Sequence, residues 1–331
     1  TTATQPELVL VGPAPTHERR AAWVAATDAR QLTLVGGDPA VDLRALADRL
    51  AGRSLGLVLA GGGARAFAHV GVLRELEDAG LHVDRVAGSS IGAVIAAVHA
   101  TGIDGAGLEE QSYLEWVRRQ PFSDWRVPTA SFAKGHRVHA ALVRALGADT
   151  VIEGMPRQLQ VVTVDLVSRT RQVHRRGSVV DAAQASARLP ALFAPMPTDD
   201  GRLLVDGGVL DNLPTDLLVR RDEGPVVAVN IGSGGGVRRP GRPRVPALGE
   251  TLMRTMMIGS GGAVDAARRR GAWVLSPSPM GVGLLEFHQL DRMVESGRAA
   301  ARMLLEQAGD DLGAMAAEGT RTSGDRAVEV A

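Results

Sequence analysis

Three short stretches of this chain carry the residue types of acyl-transfer chemistry. Gly88-Ser89-Ser90-Ile91-Gly92 fits G-x-S-x-G, the pattern in which a serine is held on a sharp turn between a strand and a helix. The spacing selects Ser90 rather than Ser89, and Gly88 and Gly92 remove the Cβ atoms that would crowd so tight a turn. The chain holds 40 Gly, so the pattern arises easily by chance and its context has to decide. Gly61-Gly62-Gly63-Ala64-Arg65 would place bare backbone N–H groups at the start of a helix, where an anion is stabilised. An oxyanion hole needs such donors, each contributing roughly 3–4 kcal/mol to a transition state; a close-packed turn has the same sequence. Arg65 fits either a lipid phosphate or an internal ion pair. Asp206 ends the apolar run Leu203-Leu204-Val205 and precedes Gly207 and Gly208, which let another segment approach. A carboxylate of pKa about 4 is a poor base, so direct activation of Ser90 requires a desolvated site. Asp-Gly pairs otherwise form ordinary turns.

Positioning these groups takes strands that end in turns. Leu55 to Ala60 is an apolar run broken by Gly61-Gly62-Gly63, after which Phe67, Val70, Leu73 and Leu76 recur at helical spacing. Val83 to Ala87 is a second short strand, Gly88 to Gly92 a turn, and Ile91, Val94, Ile95 and Val98 one helical face. Leu159 to Leu166 and Arg171 to His174 form a hairpin across Ser168-Arg169-Thr170. Ser178 to Arg188 reads as a helix capped by Ser178, and Pro225 to Ile231 as a buried strand. Helices are expected over Leu248 to Arg270 and Gln289 to Gln307, with a strand at Trp273 to Leu275 between them. Strand-length apolar runs alternating with helical spacing predict an α/β fold with a mostly parallel, buried sheet. Residues 1–52 read as a lead-in segment with a helix near Asp42 to Leu50. Residues 53–307 read as the main domain with a mobile loop at about 232–246, and 308–331 as a flexible tail.

The composition narrows the partners. With 331 residues, 45% hydrophobic and 22% charged, the chain is long enough for a sizeable core. Lys+Arg and Asp+Glu both total 37, so no global positive field favours nucleic acid. The absence of Cys removes disulfides and thiolate chemistry. The longest uncharged run, Val86 to Ile103, contains Gly88, Ser89, Ser90, Gly92 and His99 and reads as buried core rather than a membrane span. No signal peptide is visible at Thr1 to Pro6, where Met is also missing.

Taken together, GGGAR at 61–65, GSSIG at 88–92 and DGG at 206–208 resemble the patatin-like phospholipase family in order and spacing. The likeness extends through Asp124 to Pro128, Gln184 to Pro190 and Asp211 to Pro214, as in the neuropathy target esterase branch, and covers roughly residues 45–232. The resemblance implies a three-layer α/β/α sandwich whose Ser-Asp dyad hydrolyses carboxylic esters of phospholipids or lysophospholipids, without metal or cofactor. Carried over by position, Ser90 is the nucleophile and Asp206 the base. Gly61, Gly62, Gly63 and Ala64 form the oxyanion hole, with Arg65, Gly88, Gly92, Gly207 and Gly208 in support. Ala66 departs from the family's usual Gly and puts the activity level in doubt. The resemblance also implies peripheral contact with a membrane or micelle, a cytoplasmic or membrane-surface location, and membership of a longer membrane-anchored chain, which a start at Thr1 would fit.

Competing readings exist. Ser90, Asp206 and His288 stand in the order of an α/β-hydrolase triad; a lone His288 beside Phe287 is otherwise a surface or packing residue, as are His69 and His99. Gly61-x-Gly63-x-x-Ala66 after a strand, with Asp84 about 20 residues on, matches a dinucleotide fingerprint. A lipid-binding module with weakened catalysis is a third reading, with an acyl groove or membrane patch near Pro190 to Pro197 and Met253 to Ile258.

Overall fold

The computed structural model describes residues 6–13, 15–29, 31–35, 39–124, 131–219, 223–232 and 262–308, with 245, 251, 255, 258, 312, 329 and 330 beyond them. The chain opens with β1 (Glu7–Val11), α1 (His17–Thr27), β2 (Gln31–Val35) and α2 (Pro39–Leu50). β1 and β2 pair in parallel as a two-stranded sheet of their own, packed on a small core of Val24, Ala29 and Leu32. Only the second helix of this segment was expected. The strands' leucines, Leu8, Leu10 and Leu34, alternate and pack against that core, which is the period-2 signature of a half-covered strand.

The main sheet begins with β3 (Leu55–Leu59), whose five residues are all buried as a central parallel strand requires. The glycine loop and a 3₁₀ turn lead into α3 (Phe67–Asp78), followed by β4 (Val83–Ser89) and α4 (Ile91–Ala100). Every residue of α4 is buried, in keeping with a sequence apolar all round. α5 (Gly105–Ser112) runs into a π-helical turn at Tyr113–Arg118, and α6 (His136–Leu146) follows. Next come the hairpin β5 (Gln158–Asp165) and β6 (Thr170–His174), α7 (Val179–Ser186), β7 (Met196–Pro197) and β8 (Leu203–Asp206). The chain continues through β9 (Val226–Val229), α8 (Ala263–Arg269), β10 (Trp273–Leu275), α9 (Leu290–Ala308) and β11 (Glu329–Val330).

β10, β9, β3, β4 and β5 lie side by side in parallel, with helices on both sides of the sheet. The antiparallel part is the far end. β5 carries β6 along one edge, while its other edge is divided between β4, which pairs Ser89 with Val162, and β8, which pairs Asp206 with Thr163. Two strands therefore end beside adjacent residues of β5. At the opposite end of β4, Arg85 is buried and bonds Glu223 at 3.0 Å and the carbonyls of Ser54 and Leu218, so the charge is matched where a lone one would be costly. Among the described residues no helix is long and apolar enough to cross a membrane. Apart from 232 and 245 the expected loop at about 232–246 falls outside the described residues, as do 248–261 of the helix expected over Leu248 to Arg270 except 251, 255 and 258, while α8 covers Ala263–Arg269. Of the tail expected to be flexible over 308–331 only 308, 312, 329 and 330 are described, and the last two pair with β10 as β11.

Candidate active site

β4 ends at Ser89 and α4 begins at Ile91, so Ser90 alone makes the turn. Its φ of 56° and ψ of −134° put a non-glycine residue in a region that costs of order 1–3 kcal/mol and persists only when neighbours enforce it. The enforcing contacts are present. The Ser90 amide donates to Ser186 Oγ at 2.9 Å, and Ser186 in turn donates to the Val162 carbonyl at 2.6 Å. Gly92 lets α4 start hard against β3, since a Cβ there would stand 2.4 Å from the Leu59 carbonyl oxygen. Ser89 is fully buried and donates to the Asp211 carbonyl at 2.5 Å, whereas Ser90 lines a cavity.

Asp206 lies at the end of β8 and is 2% exposed. Its two oxygens have separate tasks. Oδ2 accepts a 2.5 Å hydrogen bond from Ser90 Oγ, and Oδ1 accepts from the Gly208 amide at 2.8 Å. Burial pushes this carboxyl up to about 6, with the hydrogen bonds from Ser90 and Gly208 working in the opposite direction. An ionised carboxylate of this proton affinity, touching a hydroxyl, can accept its proton.

The glycine loop differs in detail from the expected set of four free amides. The Gly61 amide donates to Asn212 Oδ1 at 3.0 Å, and the Ala64 amide donates to the Leu284 carbonyl at 2.8 Å. Both donors are thereby committed. The amides of Gly62 and Gly63 donate to no other group among the described residues, and both residues border the cavity beside Ser90. Gly63 takes φ +58°, and a Cβ on it would lie 2.1 Å from the Leu284 oxygen, so this position requires glycine. Arg65 serves the fold here, its Nε donating to the Val282 carbonyl at 2.7 Å. Ala66 is buried at φ −61°, ψ −17°; it has ordinary helical geometry and does not border the cavity.

The rest of the cavity is apolar. Ile91, Leu189, Leu192, Phe122, Phe193 and Phe287 form its walls. Phe122 stacks on Phe287 at 4.5 Å between ring centroids and meets Phe193 at 6.0 Å, with Trp116 stacked behind both Phe122 and Phe287. Leu192 and Phe193 come from the expected apolar stretch at 190–197, while Met253, Met256 and Met257 lie outside the described residues. The aromatic wall was not anticipated. Its members are spread from Trp116 to Phe287, and no local pattern links them.

The rival readings lack geometry. His288 is exposed, lies beside Gln289 at 2.9 Å and does not border the cavity that holds Ser90. His69 is buried and donates from Nε2 to the Ala60 carbonyl at 2.8 Å; burial lowers it to about 4, which keeps it neutral. His99 donates to Val83 and accepts from Arg157, a packing role. Asp84 stands near the start of β4, whereas the glycine turn follows the end of the parallel strand β3. The two sit at opposite ends of the sheet, and a dinucleotide could not bridge them as the fingerprint demands. Among the described residues no group of three His, Asp or Glu side chains is arranged to hold a metal.

Comparison with known proteins adds to this geometry. The family model described as patatin-like phospholipase matches residues 57–219. An NTE family protein of Mycobacterium tuberculosis is 38% identical over 283 residues, covering 79% of this chain and 48% of that protein. Lysophospholipase nte1 of Aspergillus fumigatus is 31% identical over 293 residues, covering 80% of this chain and 19% of the fungal one. The chain thus spans about half the length of the mycobacterial relative. Among solved structures, VipD of Legionella pneumophila is similar at a TM-score of 0.44 and 15% identity, over 77% of this chain and 66% of that one.

Proposed function

The chain belongs over residues 57–219 to the patatin-like phospholipase family, and from that premise we propose that it is a serine acyl hydrolase of lysophospholipids or phospholipids, with Ser90 as nucleophile and Asp206 as sole base. The observation that carries this reading is the 2.5 Å contact from Ser90 Oγ to Asp206 Oδ2 within a buried site. Ser90 Oγ attacks the ester carbonyl carbon while its proton passes to Asp206. The carbonyl oxygen becomes an oxyanion facing the amides of Gly62 and Gly63. On collapse the ester C–O bond breaks and the leaving alcohol takes the proton from Asp206, leaving an acyl-Ser90 ester. Water then attacks that ester, Asp206 accepts its proton, and the fatty acid departs as Ser90 recovers its hydrogen.

The cavity and the names of the relatives support this substrate class. Walls of Ile91, Leu189, Leu192 and three phenylalanines suit an acyl chain, and the fungal relatives carry the name lysophospholipase. Half-exposed Leu210 and Leu285 stand at and beside the lining, an arrangement that suits peripheral contact with a lipid surface. Residues 53–307 would form the catalytic unit, and residues 1–52, with their own sheet, a lead-in module within a longer chain at the cytoplasmic face of a membrane. Release of fatty acid from lysophosphatidylcholine by wild type, Ser90→Ala and Asp206→Ala tests the proposal. Both variants are expected to lose at least about 1,000-fold in kcat, and wild-type turnover in either would refute it.

A further inference from the structure

We propose that Asn212 is a positioning residue that holds the glycine loop in register with the Ser90–Asp206 pair; this rests on the reading of Ser90 and Asp206 given above. The Asn212 side chain is buried, at 4% exposure. Its carboxamide makes a reciprocal pair with one residue of another loop: the Gly61 amide donates to Oδ1 at 3.0 Å, and Nδ2 donates to the Gly61 carbonyl at 3.1 Å. A side chain that satisfies both the donor and the acceptor of a single residue fixes that residue's orientation as well as its distance.

The placement of this pair matters more than its strength. Gly61 immediately precedes Gly62 and Gly63, which border the cavity, and a Cβ on Gly61 would lie 2.7 Å from both Asn212 Oδ1 and Ser90 Cβ. The loop is therefore wedged between the nucleophile and the carboxamide. On its other side the same Oδ1 would stand 2.8 Å from a Cβ on Gly208, and the Gly208 amide is the one that binds Asp206 Oδ1. Asn212 thus spans the glycine loop and the turn that carries the base. Its neighbour completes the link, because the Asp211 carbonyl accepts from Ser89 Oγ, next in the chain to Ser90. The elbow, the glycine loop and the Asp206 turn meet at residues 211–212.

Oxyanion donors act only where the charge develops, and a displacement of about 1 Å costs on the order of 100-fold in rate. Asn212 and Gly61 both border the cavity, and a substitution that keeps the volume of Asn212 while releasing Gly61 should lower kcat far more than it changes KM. The test compares Asn212→Leu, Asn212→Asp and Ser90→Ala with wild type on p-nitrophenyl butyrate between pH 5 and 9, with circular dichroism as the check on folding. Asn212→Leu removes both hydrogen bonds at similar volume and is expected to lose about 10- to 100-fold in kcat, with KM within about threefold. Asn212→Asp presents the carboxamide's donor and acceptor only while its new carboxyl is protonated. Once ionised, that carboxyl opposes the Gly61 carbonyl and Asp206; the charged groups beside this turn are Asp211 and its partner Arg171, which also pairs with Asp216, with Arg270 acting on Asp211 as well. Its activity should fall with rising pH where wild type is flat, a response that a purely structural role would not produce. A folded Asn212→Leu with wild-type kcat overturns the inference. If that variant fails to fold, an Asn212→Asp profile parallel to wild type overturns it instead. Activity surviving in Ser90→Ala would sink the underlying dyad, whereas loss there beside unaffected Asn212 variants sinks only the role of Asn212.

Discussion

Ser90 and Asp206 touch although 116 residues separate them, because β5 delivers both to one place. Val162 pairs with Ser89 at the end of β4, and the next residue, Thr163, pairs with Asp206 at the end of β8. One edge of one strand therefore sets the spacing of the reacting pair, and the turn at Ser90 needs only to aim its hydroxyl across that step. The chemistry proposed for the site rests on this juxtaposition in a buried, largely apolar surrounding.

The pH dependence should have a single limb. As the proposed base, Asp206 must be ionised to accept the proton, and burial raises it to about 6, so kcat/KM should climb through roughly pH 6 and stay level to about pH 8. A stopped assay on a soluble short-chain ester measures this. A rising limb that moves when His288 is replaced would point to an imidazole base instead.

Stability should run the other way. The folded-state value of about 6 lies above the ordinary aspartate value of 3.8, so the native state holds the extra proton between these limits. Wild type should therefore lose stability as pH rises through that window, by up to about 3 kcal/mol. Asp206→Asn has no such proton to release. Its unfolding free energy relative to wild type, from urea denaturation, should increase between pH 4 and pH 7, and a constant difference would contradict the burial argument.

Replacing His288 should matter little. The side chain is exposed and bonded to its own neighbour, so His288→Ala is expected to keep more than about half of the wild-type kcat, within the small effects typical of surface changes. A loss as deep as that of Ser90→Ala would establish a triad.

Phe193 is 3% exposed and closes the cavity against Phe122. Phe193→Ala should cost about 3–5 kcal/mol of stability and extend the space open to an acyl chain. The ratio of kcat/KM for dodecanoyl over butanoyl esters is expected to rise, and an unchanged ratio would place the acyl chain elsewhere.

The local units were legible because each is short and strongly punctuated. Leu55 to Ala60 before three glycines, and Val83 to Ala87 before GSSIG, declared strand, turn and helix from a few residues, and Ser178 caps α7 as its position implied. The committed state of the Gly61 and Ala64 amides was not legible. It depends on Asn212 and Leu284, brought back by contacts 151 and 220 residues away. The aromatic wall stayed hidden for the same reason. The fork of β5 escaped because a sheet edge shared by two strands leaves no periodicity of its own. β1 and β2 are a different case, since the alternation of Leu8, Leu10, Leu32 and Leu34 was present in the residues but too short to stand out beside the longer helices.

The most direct test of the central claim is covalent trapping. A long-chain alkyl fluorophosphonate, whose phosphorus is attacked as an ester carbonyl would be, should form one adduct, and peptide mass spectrometry should locate it on Ser90. Labelling should vanish in Ser90→Ala and slow by at least about 100-fold in Asp206→Asn. An adduct on Ser89 or another residue, or labelling of Asp206→Asn at the wild-type rate, would contradict the account.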